Sequence, residues 1–175
     1  MKLKALAAGA VLALTALTTA HAQTLTGCYV PQSGFAASSS IPNLSNPELG
    51  SLEQVGTYRI VLAKKTGPLR DRQIVLSGPF KGKIVGGTIT APLLDHVLGD
   101  ANLAGLILTQ SDQGWVTGGT FPTFEVTEVL NPVAGTGKFS GLLPGGTITV
   151  EGTLDLATGT NTFDVVSGAG QVCFQ

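Results

Sequence analysis

The sequence predicts an all-β protein, a single antiparallel barrel of about eight strands, with a β-sandwich as the alternative. Three observations carry this. The pattern Gly-x-x-x-Gly-Gly-Thr occurs three times, starting at Gly82, Gly114 and Gly141. Short segments with period-2 alternation of apolar and polar residues follow one another from residue 56 to the end. The composition is turn-rich and weakly charged, with 24 glycines and 12% Asp, Glu, Lys and Arg. A closed barrel suits Thr- and Ile-rich strands because it leaves no free edge to pair with another chain.

The first residues carry the marks of a secretory signal. Lys2 and Lys4 form a positive start, an apolar stretch follows, and Ala20-His21-Ala22 fits a small-x-small cleavage site. Residues 1–22 are therefore expected to be removed, placing the mature chain in the periplasm or outside the cell. The mature chain has eight basic and eleven acidic residues, a net charge of −3, and no basic run. This argues against a nucleic-acid partner or an anionic membrane surface. Residues 23–55 read as an N-terminal segment with a long surface loop, because 31–51 is rich in Ser, Pro, Asn and Gly without periodicity. The barrel domain is placed at 56–175.

Within that domain, 56–63 alternates with Tyr58, Ile60 and Leu62 on one face. Segments 73–80 and 83–91 read as two strands joined near Gly82. Segments 104–110 and 113–120 follow, and 123–130 is expected to pair with 137–142. The clearest strand is 147–156, with Ile148, Val150, Leu154 and Leu156 on one face. Residues 161–174 close the chain. One segment departs from the pattern: Leu93, Leu94, Val97 and Leu98 stand at helical spacing and predict a short helix near 92–103. The Gly-Gly-Thr units read as turns or bulges that launch strands.

The two cysteines, Cys28 and Cys173, lie at opposite ends of the mature chain. In an oxidising compartment they are expected to form a disulfide worth roughly 4–5 kcal/mol at most by loop closure. The competing reading is that Leu25-Thr26-Gly27-Cys28 is a lipobox. Lipidation of Cys28 would anchor the chain to the envelope membrane and leave Cys173 as a free thiol.

Gly135-Thr136-Gly137-Lys138-Phe139-Ser140-Gly141, followed by Gly145-Gly146-Thr147 and the strand through Gly152-Thr153-Leu154-Asp155, resembles the allene oxide cyclase/dirigent barrel superfamily. The resemblance covers about the last third of the chain. It implies an eight-strand antiparallel barrel with an apolar cavity, a bridge between an early and a late cysteine, and association of copies of the chain. It carries no catalytic residue across.

Motif chemistry is sparse. After processing, His96 is the only histidine, so a pair of histidine ligands is excluded. Asp95, His96 and Asp100 on one helical turn would hold a metal only weakly, and an exposed His beside a helix cap is the preferred reading; no metal site and no cofactor are expected. Gly137-Lys138 lacks the remaining residues of a phosphate loop. Glu125, Glu128, Glu151 and Asp155 are the candidate carboxylates, read chiefly as a solvated outer face. Arg59 and Trp115 join Glu125 and Glu128 as candidate binding residues. Three functions follow from these readings: a carrier of an apolar small molecule, a structural or surface protein with a filled barrel, and a cyclase- or dirigent-like catalyst. The catalyst requires an inward acid or base with a shifted pKa.

Overall fold

The computed structural model describes residues 25–42, 51–66, 72–88, 90–102 and 104–175. The expected signal segment and residues 43–50 lie outside them. The described chain forms ten strands: β1 (Gly27–Pro42), β2 (Ser51–Lys64), β3 (Gln73–Thr88), β4 (Ala91–Gly99), β5 (Leu106–Thr109), β6 (Asp112–Thr120), β7 (Thr123–Leu130), β8 (Pro132–Gly135), β9 (Leu142–Asp155) and β10 (Thr160–Phe174). Eight of these close into an antiparallel barrel in the order β3-β2-β1-β10-β9-β7-β6-β4 and back to β3. Strands β5 and β8 stand outside the ring. β5 pairs antiparallel with the end of β4, and β8 pairs with β5.

The alternation that predicted the strands also sets their inner face. Tyr58, Ile60 and Leu62 of β2 and Ile148 and Val150 of β9 all point inward and are buried. One end of the barrel is filled. Tyr29 meets Phe174 edge-on at 5.9 Å between ring centroids, and Phe139 lies 6.5 Å from the same ring. Phe139 is brought there by a 3₁₀ turn at Gly137–Phe139. Gly137 has φ +57, and a Cβ there would meet the Ala104 carbonyl oxygen at 1.9 Å, so the turn admits only glycine. The ammonium of Lys138 pairs with the buried carboxylate of Asp100, which also accepts the backbone N–H of Asn102 at 3.0 Å. These contacts tie the 3₁₀ turn to the β4–β5 connection.

Four sequence expectations are corrected. Residues 92–103 do not form a helix: Leu94, His96 and Leu98 alternate inward along strand β4, and the Leu93/Leu94 and Val97/Leu98 spacing is compatible with either period. The barrel begins at Gly27 rather than 56. β1 lies between β2 and β10, and its Ala- and Ser-rich stretch carries little hydropathy contrast because its inward residues there are small. Gly82 is no turn but the middle of the continuous strand β3. Residues 137–139 are the 3₁₀ turn, and β7 pairs with β6 and β9 instead. The Gly-Gly-Thr units mark irregularities of register, as expected of bulges, but in β3 and β6 they end a strand rather than launch one.

Cys28 and Cys173 are cross-strand partners in β1 and β10 and are joined by a disulfide. That bond takes up the sulfur a lipid thioether at Cys28 would require. Because it spans 145 residues, reduction is expected to lower the urea midpoint, with a loss of stability of up to about 5 kcal/mol. Equilibrium unfolding with and without reductant measures it, and an unchanged midpoint would contradict the structural role given to the bridge.

Candidate functional site

On the side facing β6, strand β4 changes partner along its length. Leu93 and Leu94 pair with Gln113 and Asp112 of β6, whereas Val97, Leu98 and Gly99 pair with β5. The chain therefore turns sharply between β5 and β6 beside His96. The turn is held by its own polar groups: the Ser111 N–H donates to Asp95 Oδ1 at 2.8 Å, and Asn131 Nδ2 donates to the Ser111 carbonyl at 2.9 Å. Asp112 follows at once and is carried into the interior.

Three ionisable side chains converge at this point. His96, Asp112 and Glu128 are 4%, 0% and 6% exposed. His96 Nδ1 donates to Asp112 Oδ2 at 2.7 Å. The same oxygen accepts the Thr109 hydroxyl, and Asp112 Oδ1 accepts the Asn131 N–H at 2.6 Å. The backbone N–H of His96 donates to Thr109 Oγ1 at 2.9 Å, fixing β4 against β5. Glu128 Oε1 lies 3.4 Å from His96 Nδ1. The single proton on that nitrogen is directed at the nearer Asp112, so Glu128 Oε1 is left buried without a hydrogen bond among the described residues.

Two glycines of the repeated pattern stand opposite these side chains. Gly82 is the cross-strand partner of His96, and Gly114 that of Glu128. A Cβ on Gly82 would approach His96 Nε2 and Cδ2 to 2.4 Å, so the imidazole has room only because β3 carries no side chain there.

Protonation follows from burial and charge. Burial alone disfavours the imidazolium of His96, but the hydrogen bond to Asp112 and the negative charges of Glu128, Asp112 and Asp95 outweigh it and raise its pKa. Burial raises the Glu128 carboxyl to about 7; the charge of His96 pulls it down, and that of Asp112 adds to the rise. Tyr58, also inside the barrel, is pushed up by burial and then by Asp100, and its hydroxyl donates to the Gly99 carbonyl at 3.0 Å.

The open half of the barrel contains two adjoining hollows. One encloses about 450 Å³ including its open mouth and is bordered by Phe35, Ala36, Ile60, Leu98, Val150 and Val165. The other encloses about 360 Å³ on the same terms and reaches Trp115, Val116 and Leu154. Gln54, Glu128 and Phe163 border both. The lining is thus apolar apart from Gln54, Tyr58 and the His96–Glu128 pair, with Thr127 edging the second hollow.

The ligating atoms of His96, Asp112 and Glu128 lie within 4.8 Å of one another. Asp112 already accepts three hydrogen bonds, one of them from His96 Nδ1, so a cation would have to break this network. The arrangement is instead suited to holding and moving protons.

Comparison of the chain with protein-family models, with curated proteins and with solved structures finds no match in any of the three.

Of the candidate binding residues named from the sequence, only Glu128 reaches this cluster; His96, considered there only for a metal, is its second member. Glu128 lies inside the barrel and not on the solvated face expected for it, because Val126, Glu128 and Leu130 share the inward side of β7. Glu125 faces outward on the same strand, as does Arg59 on β2; Glu151 is exposed and Asp155 caps the turn after β9. Trp115 is 38% exposed at the rim of the second hollow. His96 is buried on a strand rather than exposed beside a helix cap. Asp112 was missed. Its position immediately before the Gln113–Gly114–Trp115 strand gave no sign that it would turn inward.

Two outcomes are expected. Gly82→Ala should displace the His96 ring and destabilise the fold by about 1–3 kcal/mol, measured by urea unfolding; an unchanged midpoint would contradict the packing described. Glu128 and His96 both hold their protons more tightly folded than unfolded. Stability should therefore be highest at low pH within this range and fall as pH rises from 4.5, the ordinary Glu value, through about 7. Glu128 contributes on the order of 3 kcal/mol to that fall as an upper bound. Asp100 and Asp155, whose carboxyls are held below the usual range, titrate below this window. Glu128→Gln should flatten the slope between pH 5 and 8, measured by thermal unfolding across pH. A slope as steep as wild type would contradict the assignment.

Proposed function

We propose that this protein holds an uncharged, largely apolar small molecule inside its barrel, with the polar end of that molecule against Glu128. The observation that carries the reading is the Glu128 carboxyl: its Oε1 is buried without a partner, and the residue borders both apolar hollows. A buried polar atom left unpaired is costly, and a ligand group that hydrogen-bonds to it removes the cost. A filled structural barrel would have no use for either hollow. The signal-like leader and the Cys28–Cys173 bridge support an extracytoplasmic setting for this binding. The kinship with allene oxide cyclase/dirigent barrels belongs to the same proposal; eight-strand closure and an apolar interior favour it.

Titration with N-phenyl-1-naphthylamine, a neutral apolar fluorophore, tests the reading. Saturable binding at one site is expected. Ala36 borders the first hollow and is half-buried, so Ala36→Phe should fill its mouth and weaken binding by about tenfold or more. Absence of saturable binding, or equal affinity in a folded Ala36→Phe variant, would count against it.

A further inference from the structure

The geometry points to Glu128 as the general base of a proton-transfer reaction on a neutral apolar substrate that carries an acidic C–H bond. The inference rests on the ligand-binding reading above and extends it from holding a molecule to changing one. Three structural facts support it. The Glu128 carboxyl is at the wall shared by both hollows, and among the described residues Oε1 has no hydrogen bond to restrain its basicity. His96 Nδ1, 3.4 Å away, supplies a neighbouring positive charge when protonated. Asp112, itself held by Thr109 and Asn131, fixes the orientation of that imidazole. Glu128 is thus the catalytic residue, and His96 and Asp112 are positioning residues.

The titratable groups facing Glu128 are His96 from β4 and Asp112 from β6. Its β9 partner is Val150, and β10 presents Phe163; β2 presents Gln54 and, across the first hollow, Tyr58, whose phenol burial holds in its neutral form. Near neutral pH the carboxyl is divided between its two forms, so it can take a proton and give one back. A carboxylate surrounded by apolar side chains is also less solvated and hence more basic than one in water.

A substrate that requires only a base provides the test. In 5-nitro-1,2-benzisoxazole the carboxylate takes the C3 proton, the C–H electron pair becomes the second π bond of a nitrile, the N–O bond breaks, and a coloured phenolate leaves. No oxidant or further reactant takes part. Full-length processed protein is expected to turn this probe over with a kcat/KM that rises with pH through a midpoint near 7. Glu128→Gln should lower kcat/KM at least about 100-fold while keeping its binding of N-phenyl-1-naphthylamine. Glu125→Gln, on the outer face of the same strand, should leave it unchanged. His96→Gln removes the positive charge and should move the midpoint upward, a shift that a purely structural role would not produce.

Several results would overturn the proposal. One is displacement of the fluorophore by the benzisoxazole without turnover, which leaves the binding reading intact. Another is full activity in Glu128→Gln. A midpoint near 4.5 in the wild type would do so even if that variant failed to fold. Loss of activity on chelation, with recovery on adding a divalent metal, would replace proton transfer by metal chemistry. Failure of both fluorophore and benzisoxazole to bind would remove the binding reading and this one with it.

Discussion

At any residue a strand can pair with one neighbour on each side, and in β4 the neighbour on one side changes at His96. Before it, Leu93 and Leu94 pair with β6; after it, Val97 to Gly99 pair with β5. This exchange is the constraint on which the interior depends. It produces the tight β5–β6 connection that brings Asp112 beside His96, and it separates β4 from β6 just where three ionisable groups are buried. An uninterrupted β4–β6 ladder would carry β6 straight past Asp112, with no turn there to satisfy its oxygens. Thr109, the last residue of β5, joins the two halves by accepting the His96 N–H and donating to Asp112.

The barrel divides its work along its length. At the disulfide end Tyr29, Phe139 and Phe174 fill the interior, and the Lys138–Asp100 pair fastens the 3₁₀ turn. At the other end small residues of β1, among them Ala36, leave space that larger side chains would fill. Stability and cavity are thereby separated, so the cost of an unpaired buried carboxyl is borne by a fold that is well packed elsewhere. Burial of the cluster makes folded stability a function of pH, in the sense that the native chain favours its protonated forms.

Much of the fold was legible in the sequence because strand alternation is local. The inward faces of β2 and β9 follow directly from Tyr58, Ile60 and Leu62 and from Ile148 and Val150. β1 was hidden because alternation of Ala and Ser with other small residues carries little hydropathy contrast. β4 was mistaken for a helix because apolar residues at 93, 94, 97 and 98 satisfy both periods over so short a stretch. The site was less legible. The direction of Glu128 is set by the register of β7 on β9, and its meeting with His96 and Asp112 by a change of pairing among β4, β5 and β6 that no local periodicity records. The repeated glycines did carry the signal, since Gly82 and Gly114 are the partners of His96 and Glu128. Their meaning becomes plain only with the register in hand.

The central claim is that a carboxyl inside this barrel keeps its proton to near neutrality because it is buried among apolar side chains without a hydrogen bond. Carbon-13 NMR of protein labelled at the glutamate carboxyl carbon, with the Glu128 resonance assigned by its loss in Glu128→Gln, measures this directly. The account predicts a protonated Glu128 at pH 5.5 and a titration midpoint near 7. A resonance that titrates at the ordinary glutamate value near 4.5 would place this carboxyl in contact with water and contradict the account.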